Sequence, residues 1–168
     1  MRVLAFDPGY ERLGAAVLEK QPRRSGRGPD LRASGKEILL HSECIRTTKS
    51  LSFPERLAVL GAAAEALIKK WKPDCIAIEN LYFEKNAKTA MNVSAVRGML
   101  LYLAASRGLT AHEYTPLQVK AAVTGYGRGS KADIALMVPK LLALPPRVRL
   151  DDELDAIAVG ITCLASIR

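Results

Sequence analysis

Four carboxylates stand where the surrounding residues give no reason for a charge. The apolar run Val3-Leu4-Ala5-Phe6 ends in Asp7, with Pro8-Gly9 immediately after it, and Cys75-Ile76-Ala77-Ile78 ends in the same way in Glu79. Near the other end of the chain Asp155 is flanked by Leu154, Ala156 and Ile157, with Asp152 one helical turn before it. Short apolar runs closed by turn residues read as buried strands, so Asp7 and Glu79 fall where central strands open into a cleft. Such anions must be hydrogen-bonded, protonated or paired with a cation. A turn-capping role for Asp7 at Pro8-Gly9 is the plainer alternative for that residue taken alone.

No histidine or cysteine accompanies these acids at metal-ligand spacing. An all-oxygen set favours a hard cation, Mg²⁺ with Mn²⁺ as a substitute. Two such ions about 4 Å apart suit in-line displacement at phosphorus, one activating water and the other stabilising the leaving oxygen. The charge balance names the substrate class: a net +8 in a chain still rich in acids describes a folded basic protein with a polyanionic partner, nucleic acid first.

Elements that would carry the acids can be read along the 168 residues, a length that suits a single domain with a full core, 49% of it hydrophobic. Arg2 to Asp7 and Gly14 to Leu18 predict a hairpin, and Glu37 to Thr47 a third strand that completes a meander. Between them, Gln21 to Gly35 is an Arg-, Gly- and Pro-rich stretch expected to be an exposed basic loop. Ser52-Phe53-Pro54-Glu55 has the capping-box pattern, and Leu57, Leu60, Ala64, Leu67, Ile68 and Trp71 then recur at helical spacing. After the buried strand at Cys75–Glu79 comes Asn80 to Lys88, where Tyr82, Phe83 and Lys85 suit base stacking and phosphate contact, although one of the two aromatics is expected in the core.

Thr89 to Ser106 predicts a helix with more apolar residues than one face can hold, which implies cover on two sides and a homodimer through it. Thr110 to Tyr114 is a fifth strand, and Thr115-Pro116 opens a short helix. Gly125-Tyr126-Gly127-Arg128-Gly129-Ser130-Lys131 lacks P-loop spacing and reads as a backbone-phosphate contact, after which Ser130 caps a helix to Leu142. In the last helix, Asp151 and Glu153 are accounted for by the helix dipole. Cys44, Cys75 and Cys163 are expected to be reduced core residues in a cytoplasmic protein, with no membrane span and no signal-peptide layout.

Asp7-Pro8-Gly9, Ala77-Ile78-Glu79 ahead of Lys85-Asn86-Ala87, Tyr114-Thr115-Pro116 leading to Gln118-Val119-Lys120, and Asp152-Glu153-Leu154-Asp155-Ala156-Ile157-Ala158, in that order, resemble the RuvC Holliday junction resolvases over nearly the whole chain. The resemblance implies an α/β, RNase H-like fold: a five-stranded mixed sheet flanked by helices. It further implies a dimer that makes paired nicks across a four-way DNA junction in recombination and repair. Asp7, Glu79, Asp152 and Asp155 would then be the catalytic and metal-binding acids, with Asp151 and Glu153 competing for the place of Asp152. Lys120 and Lys131 would lie near the scissile strand and Tyr82 would stack on a base at the crossover. Coupling to the RuvA and RuvB branch-migration proteins is a further family expectation. Two other readings are an RNase H-like nuclease acting on another nucleic acid and a junction-binding protein that does not cut. The Asp7-Pro8-Gly9 turn is also loosely similar to the first phosphate loop of actin-like ATPases, which need two such domains.

Overall fold

The computed structural model describes residues 1–21, 36–80, 87–127, 129–144 and 147–167. The elements in chain order are β1 (Arg2–Asp7), β2 (Arg12–Lys20), β3 (Glu37–Arg46), α1 (Phe53–Trp71), β4 (Cys75–Glu79), α2 (Ala87–Ser106), β5 (Thr110–Tyr114), α3 (Pro116–Thr124), α4 (Lys131–Leu141) and α5 (Asp151–Ser166). Most of the expected loop from Gln21 to Gly35 lies outside the described residues, as do Tyr82, Lys85 and Arg128.

One mixed sheet has the order β3-β2-β1-β4-β5. The β1–β2 and β2–β3 pairs are antiparallel, whereas β1–β4 and β4–β5 are parallel. β2, β1 and β4 are therefore the interior strands, and β1 and β4 carry helices against both faces, which is why their sequences are continuously apolar. Alternation divides their side chains between two cores. Leu4, Phe6, Ile76 and Ile78 meet α1 and α2 through Leu60, Ala64, Val96 and Leu100. Val3, Ala5, Cys75 and Ala77 meet α5 through Ile157, Val159, Ile161 and Leu164, with α3 and α4 closing that layer. Each Ile or Leu fully removed from water in these layers contributes about 1.5–3 kcal/mol.

Helix starts follow the local code. Ser52 and Glu55 form the expected capping box on α1, and Thr115 with Gln118 and Ser130 with Asp133 form two more. β2 is longer than Gly14–Leu18. Its charged ends are tied down, Glu19 accepting from Arg2 and the Lys20 ammonium donating to the Leu164 carbonyl at 3.1 Å. Cys75 and Cys163 are buried as expected, but Cys44 is only half-buried, on β3 with its sulfur 4.0 Å from Asp152. Among the described residues no helix is long and apolar enough to cross a membrane.

α5 rests unusually close to the hairpin. A Cβ at Gly14 would fall inside van der Waals contact of the Asp152 carbonyl oxygen, a backbone atom that cannot swing aside as a side chain could. Gly14→Ala is expected to push the start of α5 off β2 and to cost about 1–3 kcal/mol. A urea titration reads this as a lower midpoint with an unchanged slope; an unchanged midpoint would mean that α5 can give way there.

Candidate active site

Strand parity decides where the first two acids point. Phe6 pairs in register with Ile78, so Asp7 and Glu79 follow side by side at the ends of adjacent parallel strands. Both share the face of Ala5 and Ala77, which is the face that carries α5. The first two turns of α5 bring Asp152 and Asp155 to the same place, and all four acids line one pocket of about 890 Å³. Lys120 of α3 and Lys131 of α4 line it too.

Cations hold the two helical acids. The Lys131 ammonium lies 3.4 Å from Asp155, whose side chain is 19% exposed, and the Arg12 guanidinium lies 3.2 Å from Asp152. Among the described residues no three acid, imidazole or thiol side chains are gathered closely enough to ligate one ion. The acids share a pocket; they do not yet form a ligand cage.

The neighbours of Asp152 are disposed differently. Glu153 is buried away from the pocket, accepting from the Ser42 hydroxyl at 2.5 Å and pairing with Arg147, with Arg149 3.7 Å away. Asp151 is exposed and does not line the pocket. Of the three consecutive acids, Asp152 is the one that faces Asp7.

Several contributors had no signal as site residues. Arg12 reads in the sequence as one more charge beyond a turn. Arg97 of α2 lines the pocket and pairs with Glu113 of β5. Arg56 is buried in α1, donates to the Leu51 carbonyl at 3.1 Å and lies 3.7 Å from Glu11 and over the Tyr10 ring, bracing the turn that follows Asp7. Thr47 holds the same turn by donating its hydroxyl to the Tyr10 carbonyl at 2.8 Å. Helical spacing places Arg56 beside the apolar stripe of α1 but cannot reveal what it meets there.

Comparison with known proteins agrees with this architecture. The family model described as crossover junction endodeoxyribonuclease RuvC matches residues 3–163. The chain belongs to the RuvC family. A crossover junction endodeoxyribonuclease RuvC of Ruminiclostridium cellulolyticum is 40% identical over 96% of this chain and 90% of the relative, and one of Desulfitobacterium hafniense is 40% identical over 100% and 94%. The structure of Thermus thermophilus RuvC in complex with a Holliday junction substrate superposes with a TM-score of 0.81 at 30% identity, covering 96% of this chain and 92% of that one. The RNase H-like fold expected of the chain is thereby established, and the yeast mitochondrial Holliday junction resolvase Ydc2 shares it at 14% identity with a TM-score of 0.68.

Electrostatics explain why this RuvC-family pocket asks for a cation. Burial first, and then the negative charges of Glu79, Asp155 and Asp152, hold the Asp7 carboxyl well above the usual carboxylate range; Lys131 opposes them only in part. Burial followed by Asp155 raises Glu79, against a hydrogen bond with Asp7, and burial raises Asp155 against Lys131. Two adjacent carboxylates in one cleft do not both ionise readily unless positive charge intervenes. Oxygen donors that burial and like charge push towards their neutral forms are of the chemical kind that a hard divalent ion takes.

A raised carboxyl pKa means that the folded chain binds the Asp7 proton more tightly than the unfolded chain does. The stabilisation is full below the ordinary carboxylate range and is lost as pH rises through the folded value. In chelator at pH 8, Asp7→Asn is therefore expected to melt above the wild type, each ~1 kcal/mol of relieved repulsion being worth about 2–4 °C in a chain of this size. The difference should shrink towards pH 4. Equal melting points at pH 8 would show that ionised Asp7 costs the fold nothing.

Proposed function

We propose that the chain is a junction-resolving endonuclease that hydrolyses DNA phosphodiesters in the pocket of Asp7, Glu79, Asp152 and Asp155. The convergence of two strand-end acids and two helical acids on one face of the sheet carries this reading, and family membership supplies the substrate. Mg²⁺, or Mn²⁺ in its place, would be held by these four carboxylates and would supply a water of lowered pKa and charge stabilisation for the leaving oxygen.

The chain's own residues do the positioning. Asp7 and Glu79 are fixed by strands buried on both faces, so their separation is set by strand spacing and not by side-chain rotamers. Asp152 and Asp155 ride on a helix that is buried from Ala156 to Leu164, and their backbones move only if α5 moves. Lys120 and Lys131, at the wall of the pocket, offer ammonium groups to the phosphates of the strand that enters. Tyr82 is assigned to DNA contact from the resemblance, Lys85 from the aromatic and basic stretch after Glu79, and Arg128 from the Gly-rich basic stretch before Lys131.

The decisive experiment is cleavage of a synthetic four-way junction with Mg²⁺. Paired nicks are expected for the wild type, while Asp7→Asn and Glu79→Gln should each cut at least about 100-fold more slowly, a larger loss than an outer-sphere partner typically causes, with junction binding retained. Equal cutting of linear duplex or of an RNA–DNA hybrid would turn the reading towards a general RNase H-like nuclease. Binding without cutting would favour the junction-binding alternative. Activity that survives EDTA would remove the metal from the mechanism.

A junction presents two symmetric strands, and paired nicks need two pockets, so the reading includes a homodimer in the cytoplasm, with RuvA and RuvB as candidate partners. α2 is the surface for it. Val96, Leu100 and Ala104 are buried, Met99 lies against α1, and Met91 and Tyr102 remain 73% and 70% exposed. Sedimentation at micromolar concentration is expected to give twice the 18.2 kDa chain mass, and Tyr102→Glu should shift it towards the monomer. A wild-type monomer at that concentration would move the dimer contact elsewhere or remove it.

A further inference from the structure

Arg12 lies at the start of β2 with its guanidinium 3.2 Å from Asp152; its side chain is 53% exposed, whereas that of Asp152 is 17% exposed. It lines the same pocket as the acids. Register puts Arg46, the last residue of β3, directly opposite it. Two arginines across an antiparallel pair repel each other, and a sheet gains nothing from placing them there. Arg46 leans towards Cys44 through a side-chain hydrogen bond, and the Cys44 sulfur is 4.0 Å from Asp152. Arg12 thus pairs with the carboxylate at the wall of a pocket that has to admit a phosphodiester, and Arg46 stands directly across the ladder from Arg12.

We propose that Arg12 is a counter-ion of Asp152 that a DNA phosphate displaces, so that substrate binding itself frees the acid to complete the cation site, with Arg46 as the second arm of the phosphate clamp. This rests on the metal-dependent nuclease reading above and adds to it an order of events. Before DNA arrives, the guanidinium neutralises Asp152 and competes with a divalent ion for its oxygens. A phosphate oxyanion offers Arg12 and Arg46 a shared partner that relieves their mutual repulsion, and the planar guanidinium can turn from carboxylate to phosphate because the Arg12 side chain is half exposed. Asp152 then turns to the side on which Asp7 and Asp155 lie. Arg12 is in this sense a positioning residue: it acts through Asp152 and through the phosphate, and it leaves the bond-breaking to others.

The test uses metal binding without DNA and DNA binding without metal. Calorimetric titration of Mn²⁺ into the DNA-free chain is expected to show R12Q binding about 2- to 5-fold more tightly than wild type, the worth of a partly exposed ion pair. R12K should match the wild type, and the gain should vanish when R12Q is made on a D152N background. In EDTA, the dependence of four-way junction affinity on salt should lose about one unit of slope in R12Q and again about one in R46Q, while R46Q leaves Mn²⁺ affinity near that of wild type. If the wild type binds Mn²⁺ and R12Q binds it no better, or if R12Q leaves the salt slope unchanged, the displaced counter-ion is refuted while the nuclease reading stands. Failure of both the wild type and R12Q to take up Mn²⁺ refutes both.

Discussion

Carboxylates repel one another most strongly where water is scarce, and this chain gathers four of them in one cleft. Nothing in the core calls for that arrangement. Asp7 and Glu79 sit at the ends of the two strands most thoroughly shut off from solvent, and both are pushed towards their neutral forms. The fold tolerates them because of what surrounds them. Lys131 faces Asp155, Arg12 faces Asp152, and Asp152 lies in the first turn of α5, where the exposed N–H ends of the helix favour negative charge. α5 begins at Leu150, which supplies no side-chain cap, so the acids of its first turn are the groups that complement the dipole. The repulsion that remains is concentrated on Asp7.

That remainder sets the demand on the scaffold. Groups that repel drift apart unless their backbones are held, and here each backbone is held by a different device. The β1–β4 pairing fixes two acids by main-chain hydrogen bonds. α5 is fixed by close packing, since the bare Cα of Gly14 lets the Asp152 backbone reach β2. A third anchor is Glu153, one residue from Asp152, which is buried against Ser42 of β3 and paired with Arg147 from the segment before the helix. An acid that faces away from the chemistry thus secures the start of the helix that carries it.

Much of this was legible from residue order because the strands that matter are buried on both faces. Continuous apolar runs such as Val3–Phe6 and Cys75–Ile78 have few alternative readings, and an acid at the end of each marks the edge of the core. Capping boxes marked α1, and Ser130 marked the start of α4. What stayed hidden was set by tertiary contact. The charged ends of β2 look like turn residues until Arg2 and the end of α5 are seen to hold them, and Cys44 looks like core until β3 proves to be an edge strand. The choice among Asp151, Asp152 and Glu153 had no local signal, since three consecutive helical residues point in directions about 100° apart and only the packing of α5 says which direction faces β1. Arg12 and Arg56 escaped for the same reason: an arginine advertises charge, but the partner at the end of its long side chain is chosen by the fold.

The sign of the pocket poses a last physical question, because a basic protein keeps its acids at the point where DNA must arrive. At long range the net charge of +8 governs, and it attracts a polyanion from any direction. Screening confines that attraction to about 8–10 Å at ordinary ionic strength, so within the cleft the nearby charges decide. There a phosphate approaching Asp7 and Glu79 alone would be repelled. It is admitted only along a path where lysine or arginine stands between it and each acid, and Lys131 and Arg12 occupy such places beside Asp155 and Asp152. A cation that must both quiet an acid and receive a phosphate cannot do the two fully at once. Every phosphate it accepts returns negative charge to the pocket, and that charge raises the affinity for the divalent ion the chemistry needs. Substrate and metal are therefore expected to favour each other's binding in a pocket built this way, through Coulomb's law alone and without any change in fold.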